Sequence, residues 1–78
     1  MARRLTPVQW RVLAVAAAGE MVRRRGAFGV EHAGADDPRF AASRTIDALW
    51  RRGLLRPSQS WGAYEATDQG KETHDARR

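Results

Sequence analysis

The stretch Arg44 to Gly70, RTIDALWRRGLLRPSQSWGAYEATDQG, reads as an amphipathic helix, a glycine stop and a short hairpin in direct succession. Helical spacing turns Ile46 and Leu49 inward and leaves Arg44, Asp47 and Arg51 on the opposite side, the pattern of a helix with one buried stripe. Gly53 follows as a left-handed stop, a conformation that costs glycine little because it has no Cβ. Leu54, Leu55 and Arg56 then form a strand, Pro57 to Gly62 supply a turn rich in Pro, Ser and Gly, and Ala63 to Ala66 return as a second strand. In that second strand Tyr64 and Ala66 face one side and Glu65 the other. Thr67 caps a final short turn over Asp68 to Glu72, and the tail from Thr73 to Arg78 is expected to fray.

Upstream, Thr6, Pro7, Val8 and Gln9 carry a helix-start signal. Thr6 caps, Pro7 occupies the first helical position and Gln9 completes a capping box. Leu5 and Trp10 are spaced for a hydrophobic staple, and Val12, Leu13, Ala16 and Ala17 extend an apolar stripe to about Gly19. From Glu20 to His32 the helical period fails. This segment reads as a hairpin of two short extended pieces around Arg25 and Gly26, with a helix running on through Arg24 as the alternative. His32 to Asp37 is a small polar loop, and Asp37 and Pro38 then make a second cap and first-turn pair. Pro38 to Arg52 reads as one helix, or as two with Ser43 capping the second. Trp10 and Trp50 are expected in the core or at its edge, since a small domain needs their large apolar area.

Seventy-eight residues make one domain, residues 1–78, with flexible tails expected at 1–4 and 73–78. Fourteen basic residues face nine acidic ones, for a formal net charge of +5, and thirteen of the fourteen are arginine. That balance favours a polyanionic partner, and the planar guanidinium suits phosphates and guanine edges; codon bias toward arginine is the alternative source of the excess. There is no cysteine, which excludes disulfides, thiolate zinc sites and thiol nucleophiles and suits a cytoplasmic protein. No segment approaches the roughly 20 apolar residues of a membrane span, and Gln9 and Arg11 interrupt the one N-terminal run that loosely looks like a secretory signal. Neither a glycine-rich phosphate loop after a strand nor a nucleophile elbow is present, and His32 and His74 match no metal-ligand spacing, so the reading is a non-enzyme without cofactor or metal.

The run Thr45, Ile46, Leu49, Arg52, Gly53, Leu54, Leu55, continued by Tyr64, Ala66, Thr67 and Gly70, resembles the end of many winged-helix transcription regulators. In those a recognition helix ends in RGLL and a wing returns as Y.LT..G. The opening LTPVQWRVL, Leu5 to Leu13, is similar to the first helix of MarR-type regulators. The resemblance implies a mainly α fold with a small β component: an N-terminal helix, a recognition helix and a C-terminal β-hairpin wing. Two features depart from the MarR pattern. Residues 20–37 contain three glycines in place of a clear second helix, and the long terminal helices that dimerise such proteins are missing from this sequence, so the resemblance supplies no dimer surface.

On this reading the partner is double-stranded DNA, bound with sequence specificity by a transcription regulator or a phage or plasmid accessory factor acting as a homodimer or with a partner protein. Arg39, Ser43, Arg44, Asp47 and Arg51 lie on or near the exposed side of the recognition helix, and Arg44, near its start, is the first choice for a base contact. Ser43 and Thr45 are expected to donate to phosphates through hydroxyl or backbone groups. Arg51 and Arg56 are expected to neutralise phosphates, whereas Arg52 complements the helix dipole. Ser58, Gln59 and Ser60 at the wing tip suit a minor groove, and turn chemistry explains them as well. Trp61 either packs across the hairpin or offers a stacking surface. Arg23, Arg24 and Arg25 are a basic run that meets a nucleic-acid backbone or forms a solvated strand edge. Two alternatives of other classes stand beside this one. One is a protein-interaction module using the same shape with its basic face toward an acidic partner; the other is an RNA or single-strand binder in which Trp61 and Phe28 do the work.

Overall fold

The computed structural model describes residues 4–25, 38–60 and 62–76, and among them are three helices and one four-stranded sheet. Chain order is α1 (Pro7–Ala17), β1 (Val22–Arg24), β2 (Phe40–Ala41), α2 (Ser43–Arg51), β3 (Leu55–Pro57), β4 (Ala63–Ala66) and α3 (Asp68–Ala76). The start of α1 is set by the expected reciprocal cap. The Gln9 amide donates to Thr6 Oγ1 at 3.2 Å, and the Thr6 amide donates to Gln9 Oε1 at 3.0 Å. Leu5 is buried beside it and Trp10 packs on the core. Because the Gln9 amide depends on the Thr6 hydroxyl, Thr6→Ala is expected to lower stability by about 1 kcal/mol in denaturant unfolding. An unchanged transition midpoint would show that the staple alone holds the end.

The sheet order is β2-β1-β4-β3. β1 runs parallel to β2, with Arg23 opposite Phe40, and antiparallel to β4, with Val22 opposite Tyr64. This corrects two sequence expectations. The first extended piece of the 20–32 segment is a strand, but its neighbours are β2 and β4, both further along the chain; the second piece lies outside the described residues. Nor does a helix start at Pro38. The Arg23 amide donates to the Arg39 carbonyl and the Arg25 amide to the Ala41 carbonyl, each at 2.8 Å, which draws Phe40 and Ala41 into the sheet. Sheet hydrogen bonds from a distant strand outweigh a local cap signal, since neither choice differs much in intrinsic propensity. Ala42 then stays extended (φ −60°, ψ 146°) and is the N-cap of α2, so Ser43 is its first helical residue and not its cap.

From α2 onward the expected order of helix, stop and hairpin is present. Gly53 has φ 76°, the left-handed turn foreseen for it. β3 and β4 pair antiparallel with Leu55 opposite Ala66, Arg56 opposite Glu65 and Pro57 opposite Tyr64; β3 begins one residue later than expected. Pro57 lies on an edge strand, where a missing N–H leaves no ladder bond unmade. Thr67 caps α3 by accepting from the Gly70 amide at 2.9 Å. The helix it caps is longer than a single turn. Residues 73–76, expected to fray, are helical, and Thr73 and His74 are half-buried. The cause is that α3 packs on α1 and β4, contacts a local reading does not include.

The core gathers Leu5, Val12, Leu13 and Ala16 from the α1 region, Val22 from β1, Ile46 and Leu49 from α2, and Leu54, Leu55 and Ala66 from the hairpin. α1 touches both other helices, β1 and β4, so it is the scaffold on which α2 and the hairpin are set. Among the described residues no helix is long and apolar enough to cross a membrane.

Candidate nucleic-acid interface

The outward face of α2 is where the sequence places its main site, and the helical period decides which side chains reach it. Thr45, Ile46 and Leu49 form the buried side. Opposite them Ser43, Arg44 and Arg51 are exposed and Asp47 is half-buried. Thr45 contributes little surface to that face. It is only 8% exposed and its amide donates to the Ala42 carbonyl at 3.0 Å, so its N–H is engaged at the helix start. The reason is geometric: Thr45 lies four positions before Leu49, so the two share one face of the helix.

Asp47 has a role the sequence did not signal. Its Oδ1 is 2.8 Å from Arg24 Nη2 in β1. The same guanidinium donates to the Tyr64 hydroxyl from Nη2 at 2.9 Å and from Nε at 3.3 Å, and lies 5.2 Å from the Tyr64 ring centroid. Arg24 Nη1 also reaches the Ser43 carbonyl at 3.5 Å. One side chain therefore braces β1, β4 and α2 together. The hydrogen bond to Asp47 first, and that to Tyr64 second, raise the Arg24 pKa above its ordinary value against the opposing effect of partial burial. The charge of Asp47 is thus compensated within the face, which keeps the face cationic.

The hairpin contributes less charge than expected. Arg56 is largely exposed, but its Nη2 is 3.1 Å from Glu65 Oε2 across the strands. Ser58 is engaged in the turn itself: its Oγ accepts from the Ser60 amide at 3.0 Å and its own amide donates to the Ala63 carbonyl at 2.9 Å. Gln59 and Ser60 are exposed at the tip, and Gly62 has φ 76°. Trp61 lies outside the described residues. Arg39, just before β2, is exposed with its guanidinium 6.0 Å from the Phe40 ring centroid, at the sheet end of α2 and not on it. Arg52 is the C-cap of α2 and half-buried, consistent with a structural part.

Beside α2, a groove of about 300 Å³ between α1 and the helix start is lined by Val8, Val12, Phe40, Arg11, Arg25 and Arg44 among others, which gathers three guanidinium groups near the beginning of α2. Trp50, expected in the core or at its edge, lies at the edge: it is 46% exposed, on α2, with its ring tilted 56° to Tyr64 at a centroid distance of 5.8 Å, and Tyr64 packs on the core. The core positions nearest it are filled by Ile46 and Leu49, both fully buried, which leaves the indole outside. His74 and Asp75, also expected in a frayed tail, sit on α3 with Nδ1 and Oδ1 3.6 Å apart; among the described residues no group of three potential ligands gathers to hold a metal. Comparison with family models, with curated proteins and with solved structures finds no match to this chain.

Proposed function

We propose that this chain is a winged-helix domain that binds double-stranded DNA with sequence specificity, α2 serving as the recognition helix and the β3–β4 hairpin as the wing. The observation that carries the reading is the outward face of α2, where Arg44 and Arg51 stand two turns apart on one face, exposed, beside a hairpin and opposite a buried stripe. A helix of this kind fits the major groove, and an arginine there can take guanine O6 and N7 together. The formal charge of +5 and the compensation of Asp47 by Arg24 support an anionic partner. Arg44 reads a base; Arg51 and Ser43 meet phosphates. Arg56, already opposed by Glu65, adds less, and Gln59 and Ser60 approach the backbone from the wing tip. One helix and one wing give limited specificity, so the protein acts as a homodimer or with a partner protein, in a cytoplasmic regulator or an accessory factor.

The test is titration of duplex DNA at several salt concentrations. Wild-type affinity falls steeply with salt, because each phosphate contact releases counterions. Arg44→Ala, measured on the preferred site after selection from a random duplex pool, costs about 1–3 kcal/mol, or roughly 5- to 150-fold, and relaxes the preference at one position. Arg51→Ala weakens all sequences alike and reduces the salt slope by about one. Absence of duplex binding at low salt would overturn the reading.

A further inference from the structure

Trp50 is the one aromatic among the described residues that is exposed, at 46%, and it stands within the proposed interface. Ser43, Asp47 and Trp50 follow one another at helical spacing along the flank of α2 that meets β1 and β4, where Arg24 and Tyr64 lie. Arg44, Ala48 and Arg51 form the neighbouring stripe. The indole is therefore bordered by Arg51 on its own helix and, through Tyr64, by the Arg24 guanidinium. One side of the indole meets the tilted Tyr64 ring, and 46% of the residue is exposed to solvent.

An exposed indole in a small domain is a liability unless something covers it, and the groups around it indicate what. The neighbours are cationic or charge-compensated, which disfavours an acid-poor apolar partner and matches a polyanion. We propose that Trp50, supported by Tyr64, is an anchoring residue for the sugar–phosphate backbone of a DNA duplex, packing its ring against a deoxyribose where the strand passes between α2 and the hairpin. This rests on the duplex-binding reading above. Deoxyribose offers C–H surface to the indole face while the flanking phosphates meet Arg51, so apolar and ionic contacts are made side by side. The contact carries no charge and reads no base. It contributes the same affinity on every sequence and at every salt concentration.

Those properties separate Trp50 from the arginines. Trp50→Ala is expected to reduce duplex affinity about tenfold, the effect of losing roughly 50 Å² of apolar contact, on preferred and random duplexes alike. The slope of affinity against salt stays at the wild-type value, because no phosphate contact is lost. Trp50→Phe keeps the ring against Tyr64 and loses only part of the affinity, which distinguishes loss of contact from loss of helix position. In the 5-fluorotryptophan-labelled wild type, the Trp50 fluorine resonance, assigned from its disappearance in Trp50→Phe, shifts on adding duplex. Affinity for duplex within twofold of wild type in Trp50→Ala, together with an unmoved resonance, overturns the proposal while leaving duplex binding through Arg44 and Arg51 intact. A tenfold loss on single strands but none on duplex also overturns it, in favour of base stacking. If the wild type binds no duplex, the functional reading itself fails and this inference with it.

Discussion

Replacing Gly70 with alanine is expected to destabilise the protein by about 2 kcal/mol, although alanine is the better helix former by about 1 kcal/mol. Gly70 is the buried residue of α3, and a Cβ built on it would run into the carbonyl oxygen of Leu54. That oxygen belongs to backbone and already accepts from the Thr67 amide at 3.1 Å, so no rotamer change can relieve the contact. One element must shift. The cost is an overpacking cost of about 3 kcal/mol from which the propensity gain is subtracted. For a domain of this size the corresponding fall in melting temperature is roughly 8–16 °C. A thermal melt of Gly70→Ala at or above the wild-type temperature would show that α3 does not approach Leu54 so closely. Gly53→Ala makes a useful companion, because there the strain comes from φ 76° and the nearest obstacle is only the flexible Gln69 side chain.

The second large effect is expected at Arg24. Arg24→Ala removes hydrogen bonds to Asp47 and Tyr64 and the cross-brace between β1, β4 and α2. Hydrogen bonds to charged groups contribute about 1.5–3 kcal/mol each when buried, but with 28% and 42% of the two side chains exposed the loss is discounted to about 1–2 kcal/mol in all. The functional consequence is separate. Without Arg24, the carboxylate of Asp47 stands uncompensated in the face proposed to meet phosphates, so duplex affinity falls further than stability alone explains. Arg24→Ala combined with Asp47→Asn should recover much of that affinity without recovering the stability, and the difference reads directly as coupling in a double-mutant cycle. If the double variant binds no better than Arg24→Ala, Asp47 does not face the partner. The sign of the pH dependence also follows. A raised guanidinium pKa means that its stabilisation is fully present below the ordinary arginine value and is lost only as pH rises beyond it. Arg24 itself therefore contributes no change in stability across the neutral range.

Gly53, Leu54, Thr67 and Gly70, read in the sequence as two separate fragments of a motif, meet at one junction in the fold. The Thr67 hydroxyl donates to the Gly53 carbonyl and accepts from the Gly70 amide, while its amide binds the Leu54 carbonyl. This explains why that part was legible. Gly53 and Thr67 have local requirements, a left-handed φ and a cap, and these are visible in residue type, whereas the need for no Cβ at Gly70 comes from the distant Leu54 backbone. The start of α1 was legible for the same reason, as was the buried stripe of α2.

Residues with no local requirement behaved differently. Phe40 and Ala41 have no intrinsic reason to leave a helix; β1 supplies one by pairing with them. Trp50 reads by composition as a core or core-edge residue, and the filling of the adjacent space by Ile46 and Leu49 settles it at the edge. Asp47 and Arg24, separated by 23 positions, carry nothing that announces a pair. The sequence by itself determined the cap of α1, the amphipathic helix α2, its glycine stop and the hairpin, because periodicity, capping and turn chemistry act within a few residues. Tertiary structure alone decided the parallel pairing of β1 with β2, the length of α3 and the bracing of Asp47. Each of these depends on a hydrogen bond or a packing contact whose partner lies far along the chain, where no local pattern can register it.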